Sequence, residues 1–229
     1  MELDNAIRLT EIALGFAFIQ QSIEHLKSTT YEKTLFIPRL ILSLVLIAGF
    51  QTPWITLLLL VISLAMLIRF QGPYNGGADR MSLLIVSCLS LAHFAPTHYW
   101  KEVAFGYLAL QLLLSYFISG WVKIVNPEWR CGRALSDVFQ FSAYPVSDAL
   151  RQLAHSPQLI FIMSWAVILF EILFPLSLLS TTTLIIALFI AAGFHFANAC
   201  LFGLNRFFWI WIAAYPSILW FQQRVIATF

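Results

Sequence analysis

Charged residues are scarce in this chain of 229 residues, since Asp, Glu, Lys and Arg make up 10% of it while 60% is hydrophobic. A soluble domain normally carries about 25% charged residues. The composition therefore excludes a water-covered surface over most of the molecule. The net charge of +2 is too small to indicate a nucleic-acid partner. Together these values favour a protein whose solvent is lipid.

Cysteine is nearly absent, with single residues at Cys88, Cys131 and Cys200. Their wide separation argues against a disulfide framework and against a metal site. Cys88 and Cys200 lie in apolar runs, so we expect both to be small core residues. Cys131 is flanked by Arg130 and Arg133, and nearby cations are the setting of a reactive thiol.

Long apolar runs fill most of the chain. A helix needs about 20 apolar residues to cross the hydrocarbon core. We predict an all-α, polytopic transmembrane bundle of about eight helices, in which residues 1–229 form a single domain with no soluble domain. The predicted spans are residues 6–26, 35–50, 54–70, 81–97, 103–123, 158–179, 182–202 and 206–222.

A polar loop at residues 126–157 separates the fifth span from the sixth. Helical spacing at 134–139 and 148–155 predicts short helices within it. With eight spans, ten of the 13 Lys and Arg residues fall on the side of this loop, which predicts a cytoplasmic loop and external termini. Five of those ten belong to segments with a functional interpretation, so the even number of spans is the firmer prediction.

A turn-like cluster, Tyr74-Asn75-Gly76-Gly77-Ala78-Asp79-Arg80, precedes the fourth span. Asn-Gly-Gly is a turn signal, and Asp79 is suited to capping the helix that follows. A capped turn explains Asn75 and Asp79, but it gives no role to Tyr74 or Arg80. All four are therefore candidates for substrate binding.

Lys123 ends the fifth predicted span. Gly120 lies three residues earlier on the same helix face and permits the close approach of another backbone. One interpretation is an interfacial lysine that extends towards the headgroups. The other is a lysine in a protein-lined pocket, where desolvation can make it a base.

His195 and Asn198 are separated by three residues in the seventh span and share a helix face. Alanines on that side predict packing against another helix, so His195 is expected to point into the bundle. A histidine within a span is a functional candidate by default. A histidine that hydrogen-bonds across helices for packing alone is the alternative.

Glu171 lies in the sixth span, four residues before Pro175. Proline has no amide hydrogen, so the Glu171 carbonyl loses its usual donor and a local kink is predicted. A carboxylate in lipid must be paired or protonated. Lys123, His195 and Arg206 are all candidate partners.

These clusters, in this order, resemble the HTTM (horizontally transferred transmembrane) family, the membrane part of vitamin K-dependent gamma-carboxylases. The resemblance covers most of residues 65–216. The residues that carry it are Tyr74-Asn75-Gly76-Gly77 with Asp79, the stretch from Tyr116 to Lys123 with Trp129 and Gly132, the stretch from Phe170 to Pro175, and the stretch from Phe194 to Asn198.

The resemblance implies a carboxylase/epoxidase-like lyase or oxidoreductase that uses vitamin K hydroquinone or another quinol. Lys123 occupies the place of the family's base, although its spacing to Trp129 is one residue longer than in the animal enzyme. The predicted catalytic residues are Lys123, His195 and Glu171. The predicted substrate-binding residues are Tyr74, Asn75, Asp79, Arg80, Asn198, Arg206 and Trp129. No metal site is predicted.

Other functions remain open from the sequence. Short bacterial members of the family, of the sporulation-delaying type, are needed to mature a secreted toxin peptide. The alternatives are thus a non-catalytic protein for peptide maturation, export or immunity, or a small transporter. The expected partners are the lipid bilayer and a secreted peptide or a second membrane protein, with no nucleic acid. The expected location is a bacterial inner membrane, with multiple crossings.

Overall fold

The computed structural model describes residues 1–27, 30–69, 76–141 and 147–226. These residues are 92% helical, and no strand occurs among them. The α-helices are α1 (Leu3–Glu24), α2 (Thr30–Ala48), α3 (Thr52–Arg69), α4 (Gly76–His93), α5 (His98–Val125), α6 (Pro127–Arg130), α7 (Arg133–Phe141), α8 (Asp148–Arg151), α9 (Pro157–Leu173), α10 (Thr181–Phe202) and α11 (Asn205–Phe221).

The all-α prediction is confirmed, and each of the eight predicted spans has its own long helix. The helix count differs from about eight because α6, α7 and α8, of four to nine residues, lie in the polar loop. Three helical segments within the described ranges are long and apolar enough to cross a membrane. They are His98–Val125, Pro157–Leu179 and Thr181–Phe202. The other long helices are shorter or more polar.

The chain divides into two compact units. Unit 1 comprises residues 1–110 and 206–229, and unit 2 comprises residues 111–205. In unit 1, α1 packs against α2 and α4, and α3 packs against the same two helices. The first part of α5 and α11 from Arg206 onwards complete this unit.

Charged side chains of α1 are shielded by neighbouring helices of unit 1. The Arg8 guanidinium donates to the carbonyl oxygens of Leu46 and Ile47, near the end of α2. It also contacts the buried Glu11 carboxylate at 2.8 Å, and that carboxylate lies 2.6 Å from His93 Nε2.

In unit 2, α9 stops being α-helical at Leu173 and continues as a 3₁₀ helix from Phe174 to Leu179. The irregularity predicted at Pro175 is therefore present. Ser180 then caps α10, since its hydroxyl accepts from the Thr183 amide while Thr183 accepts from the Ser180 amide. Gly203, at a φ of 67°, ends α10 in the left-handed conformation that glycine adopts readily.

The polar loop is folded, as its helical spacing predicts. Helix α7 and a 3₁₀ helix at Gln152–His155 pack against α9, and α8 packs against both of them. Their apolar side chains form a small core of their own. Its buried members are Leu135, Phe139, Ala154, Ile160 and Phe202.

Of the two cysteines expected in the core, Cys88 is buried but Cys200 is exposed. The prediction for Cys200 is wrong because α10 is apolar all around, with Phe189 and Phe196 also exposed. In a helix that faces lipid, an apolar run does not distinguish an inner face from an outer one.

Candidate functional site

Lys123 and Glu171 form an ion pair inside unit 2. Lys123 Nζ lies 2.6 Å from Glu171 Oε2 and 3.4 Å from the Ser119 carbonyl oxygen. The Glu171 side chain is 6% exposed and that of Lys123 is 17% exposed. The sequence left three partners open for Glu171, and the structure places Lys123 there.

Gly120 makes this pair possible because it removes a side chain from the contact between α5 and α9. A Cβ atom at position 120 would lie 2.6 Å from the Ile172 amide nitrogen and 2.9 Å from Glu171 Cβ. Both distances are shorter than van der Waals contact. The predicted close backbone approach at Gly120 is therefore observed.

Trp129, in the short helix α6, covers the lysine. Its ring centroid is 5.2 Å from Lys123 Nζ, within the range of a cation–π interaction. The Trp129 carbonyl accepts a hydrogen bond of 2.5 Å from Ser164 of α9, which fixes this part of the loop. Asn126 caps helix α6, because its side chain accepts from the Glu128 amide.

A second polar pair lies in the same unit. The Tyr116 hydroxyl and His195 Nε2 are 2.8 Å apart, and both residues are buried. His195 thus points into the protein, as its alanine-lined face predicts. Asn198 lies nearly one turn further along α10 and is half-buried, and its carbonyl accepts from the amide of Leu204.

Aromatic rings surround the tyrosine. The Phe174 and Phe170 ring centroids lie 4.1 Å and 5.9 Å from that of Tyr116. The same two phenylalanines line a groove of about 330 Å³ between α9 and α10. Its other lining residues are Leu169, Leu173, Ser177, Thr183, Ile186, Ala187 and Ile190. Unit 2 therefore combines a buried and a partly buried polar pair with an apolar groove beside them.

Tyr116 is the residue of this site that the sequence-based selection of site residues missed. It belongs to the stretch that resembles the HTTM family, but it carries no charge and so attracted no role. It precedes Lys123 by seven residues, or about two helical turns, which places both on one side of α5. That spacing is the signal that predicts a shared site.

The remaining predicted site residues belong to unit 1 or lie outside the described ranges. Asp79 Oδ1 accepts a hydrogen bond of 3.1 Å from Gln21 Nε2. Arg206 pairs with Glu24 at 3.4 Å and donates to His25. Arg80 is exposed. Tyr74 and Asn75 are outside the described residues.

The prediction that Asp79 caps α4 is wrong. Helix α4 begins at Gly76, so Asp79 lies within its first turn rather than before it. Gly76 and Gly77 are its first two residues. The Asp79 carboxylate still lies near the positive end of the helix dipole.

Metal binding has no candidate among the described residues, where no group of three His, Cys, Asp or Glu side chains is placed to hold an ion.

Fold and site together define a helical membrane protein with a polar site among its helices. The family model of the HTTM domain matches residues 79–223, which is more than half of the chain. The chain therefore belongs to the HTTM family, whose carboxylase-related membrane domain the sequence resembles. No curated protein and no solved structure matches it significantly.

Proposed function

We propose that this protein abstracts a proton from a lipophilic, quinol-like substrate, with Lys123 as the base. The observation that carries the proposal is the 2.6 Å contact between Lys123 Nζ and Glu171 Oε2 among helices. A charge in such a setting is a functional candidate by default. A lysine that served only as an interfacial anchor would need no buried carboxylate beside it.

The pair is suited to receive a proton without leaving an uncompensated charge. In the proposed step Lys123 begins as the neutral amine and takes the proton of the substrate hydroxyl, whose oxygen keeps the electron pair as the substrate anion. The ammonium that forms then lies between the Glu171 carboxylate and that anion. Trp129, 5.2 Å from Nζ, keeps the amine in place and limits the access of water.

The groove between α9 and α10 favours a substrate with an apolar ring or tail. Phe170 and Phe174 connect this groove to Tyr116, whose hydroxyl is bound to His195. We propose that His195 and Asn198 orient the oxygen that loses its proton, since preorganised donors in a dry site stabilise a developing oxyanion. A quinol bound there would supply the acidic hydroxyl.

The first test is the ionisation of a bound quinol under anaerobic conditions. Vitamin K hydroquinone is added to the protein in detergent, and the absorption of the quinolate anion is measured by difference spectroscopy. We expect this absorption with the unmodified protein and its loss in Lys123→Met. Lys101→Met removes a lysine that pairs with the exposed Asp4, and it serves as the matched control.

Equal quinolate absorption in Lys123→Met and in the unmodified protein would refute the role of Lys123. The protein could fail to bind the quinol while the Lys123 variant, but not the Lys101 control, reproduces the phenotype of a deletion strain. That result would favour a peptide substrate over a quinol. Protein levels in the membrane are measured in parallel, so that a folding defect is recognised.

A further inference from the structure

A second groove, of about 510 Å³, lies between α5 and α11 in unit 1. Its residues are separate from those of the proposed catalytic site, and the inference drawn from it does not depend on the proposed function. One end holds Glu102 and Arg224, the walls carry Tyr99 and Trp220, and Leu110 lies at the other end. The groove is thus charged at one end and apolar along the rest.

Gly106 keeps this groove open. A Cβ atom at position 106 would lie 3.6 Å from the Trp220 ring and 3.7 Å from the Phe221 ring. These are ordinary van der Waals distances, so a single methyl group fits at this position. A longer side chain would extend into the space that the groove now occupies.

The length of the groove matches one leaflet of a bilayer. Its lining on α5 runs from Tyr99 to Leu110, which is about 16 Å at 1.5 Å per residue. Half of the hydrocarbon core is about 15 Å. Tyr99 and its neighbour Trp100 are exposed at the charged end, where aromatic residues typically mark the interface with water. A chain lying in the groove would therefore run from the interface to the bilayer centre.

The charged end presents the Arg224 guanidinium beside the Glu102 carboxylate, and His98 Nε2 also lies 3.5 Å from Glu102 Oε1. Arg224 Nε donates to Glu102 Oε1 at 2.9 Å, and the two side chains are 56% and 20% exposed. A guanidinium has further donors that suit a phosphate, and a carboxylate accepts from an ammonium group. Arg224 also lies in a π-helical turn, Gln222–Ile226, a geometry that is frequent at functional sites.

We propose that this groove binds one phospholipid with a zwitterionic, primary-amine headgroup of the phosphoethanolamine type. Arg224 binds the phosphate, Glu102 accepts from the ammonium, and one acyl chain lies along Gly106. An anionic headgroup without an amine would leave the Glu102 carboxylate facing a phosphate. A choline headgroup has no N–H to donate to that carboxylate.

The test uses the full chain, purified in detergent, with phosphatidylethanolamine, phosphatidylglycerol or phosphatidylcholine of identical acyl chains. Thermal unfolding is measured at increasing lipid concentration, because a ligand that binds only the folded state raises the unfolding temperature. Native mass spectrometry gives the number of lipids bound. We expect one tightly bound phosphatidylethanolamine and a larger rise in unfolding temperature with it than with either other lipid.

The headgroup assignment is tested with Arg224→Gln and Glu102→Gln. Loss of one charge-assisted hydrogen bond should weaken phosphatidylethanolamine binding roughly tenfold in either variant. In Glu102→Gln the preference over phosphatidylglycerol should disappear, because the carboxylate that selects the amine is gone. Lys101→Gln, which removes a cation next to the groove but outside its lining, should keep that preference.

The chain assignment is tested with Gly106→Leu, which fills the groove. Gly193→Leu is the matched control, because a Cβ atom there has no neighbour within 4 Å. Retention of one phosphatidylethanolamine by Gly193→Leu and its loss from Gly106→Leu would support the proposal. Equal stabilisation by all three lipids, or unchanged binding in both Gly106→Leu and Arg224→Gln, would overturn it.

Discussion

Gly120 is the residue on which the contact between α5 and α9 depends. Gly120→Ala would place a methyl group 2.6 Å from a backbone nitrogen that cannot rotate away. The two helices would have to separate, at a cost of about 1–3 kcal/mol. We expect a lower free energy of unfolding in detergent and loss of the quinolate signal, because Lys123 would no longer reach Glu171.

Gly193→Ala separates this effect from helix propensity. Alanine favours a helix by roughly 1 kcal/mol over glycine, and position 193 has open space around its Cβ. This variant should be as stable as the unmodified protein or slightly more stable. A Gly120→Ala protein that gained stability to the same extent would show that the close approach is unimportant.

The Lys123–Glu171 pair allows stability and function to be separated. Removing one partner leaves an uncompensated charge, so Lys123→Met alone or Glu171→Leu alone should lower the free energy of unfolding by about 3–5 kcal/mol. The double variant buries no charge and should regain most of that loss. Chemical denaturation of the four proteins measures the difference.

The double variant should nevertheless fail to ionise a bound quinol. If it retained the quinolate signal, the pair would have a structural role only. The decrease in the free energy of unfolding of the double variant could equal the sum of the decreases of the two single variants. In that case the two side chains do not interact, and the ion pair would be refuted.

At the scale of elements, the start of α10 depends on a reciprocal cap. Ser180 Oγ accepts from the Thr183 amide, and Thr183 Oγ1 accepts from the Ser180 amide, both at 3.1 Å. Ser180→Ala removes the first bond and should lower the free energy of unfolding by about 1 kcal/mol. Thermal unfolding would detect this change, whereas Thr182→Ala, one position before Thr183, serves as the control and should have little effect.

The long helices were predictable from the sequence because each apolar run is bounded by a turn signal or a polar stretch. The observed helix bounds differ from the predicted spans where glycine or proline lies near a helix end. Helix α4 starts five residues before its predicted span, at Gly76, and α9 leaves the α conformation at Leu173, just before Pro175. The residue types were informative in both places, but their exact structural effect depends on the packing of neighbours.

The site was predictable only in part. Because a carboxylate in lipid must be paired or protonated, a partner was expected for Glu171. Three residues satisfied this requirement equally well. The choice of Lys123 depends on the approach of two helices at Gly120, which is a tertiary contact. The role of Tyr116 was not predicted for a different reason. An uncharged side chain can be placed in an apolar span at little cost in free energy, so its presence there does not indicate a functional site.

At the scale of the whole molecule, contacts within unit 1 bear on the number of crossings. The amino terminus donates to Gln223, and Asp4 pairs with Lys101 at the start of α5. The starts of α1 and α5 and the end of α11 therefore lie at one end of this unit. Arg206, at the start of α11, pairs with Glu24 near the end of α1, at the other end.

This arrangement favours an even number of crossings. Helices α1 to α4 would cross four times before α5 begins on the side of the amino terminus. Helices α5, α9 and α10 would then cross three times, which brings the chain to the start of α11 on the opposite side. We therefore expect eight crossings, although among the described residues three helical segments are long and apolar enough to cross by themselves.

Cysteine labelling tests this topology. In a background without native cysteines, single cysteines are introduced as Glu2→Cys, Glu24→Cys and Phe50→Cys, and each is treated with a membrane-impermeant maleimide in intact cells and in opened membranes. With eight crossings, positions 2 and 50 label from one side and position 24 from the other. If only α5, α9 and α10 cross, all three positions label from the same side.

Native Cys131, exposed in the polar loop, fixes the orientation when it is the one cysteine retained. It should share its side with position 24 in the eight-crossing arrangement. The excess of Lys and Arg on that side predicts the cytoplasm, so Cys131 should label only after the membrane is opened. If Cys131 were labelled in intact cells, the protein would have the opposite orientation. The groove between α5 and α11 would then open to the cytoplasmic leaflet and would bind a phospholipid of that leaflet.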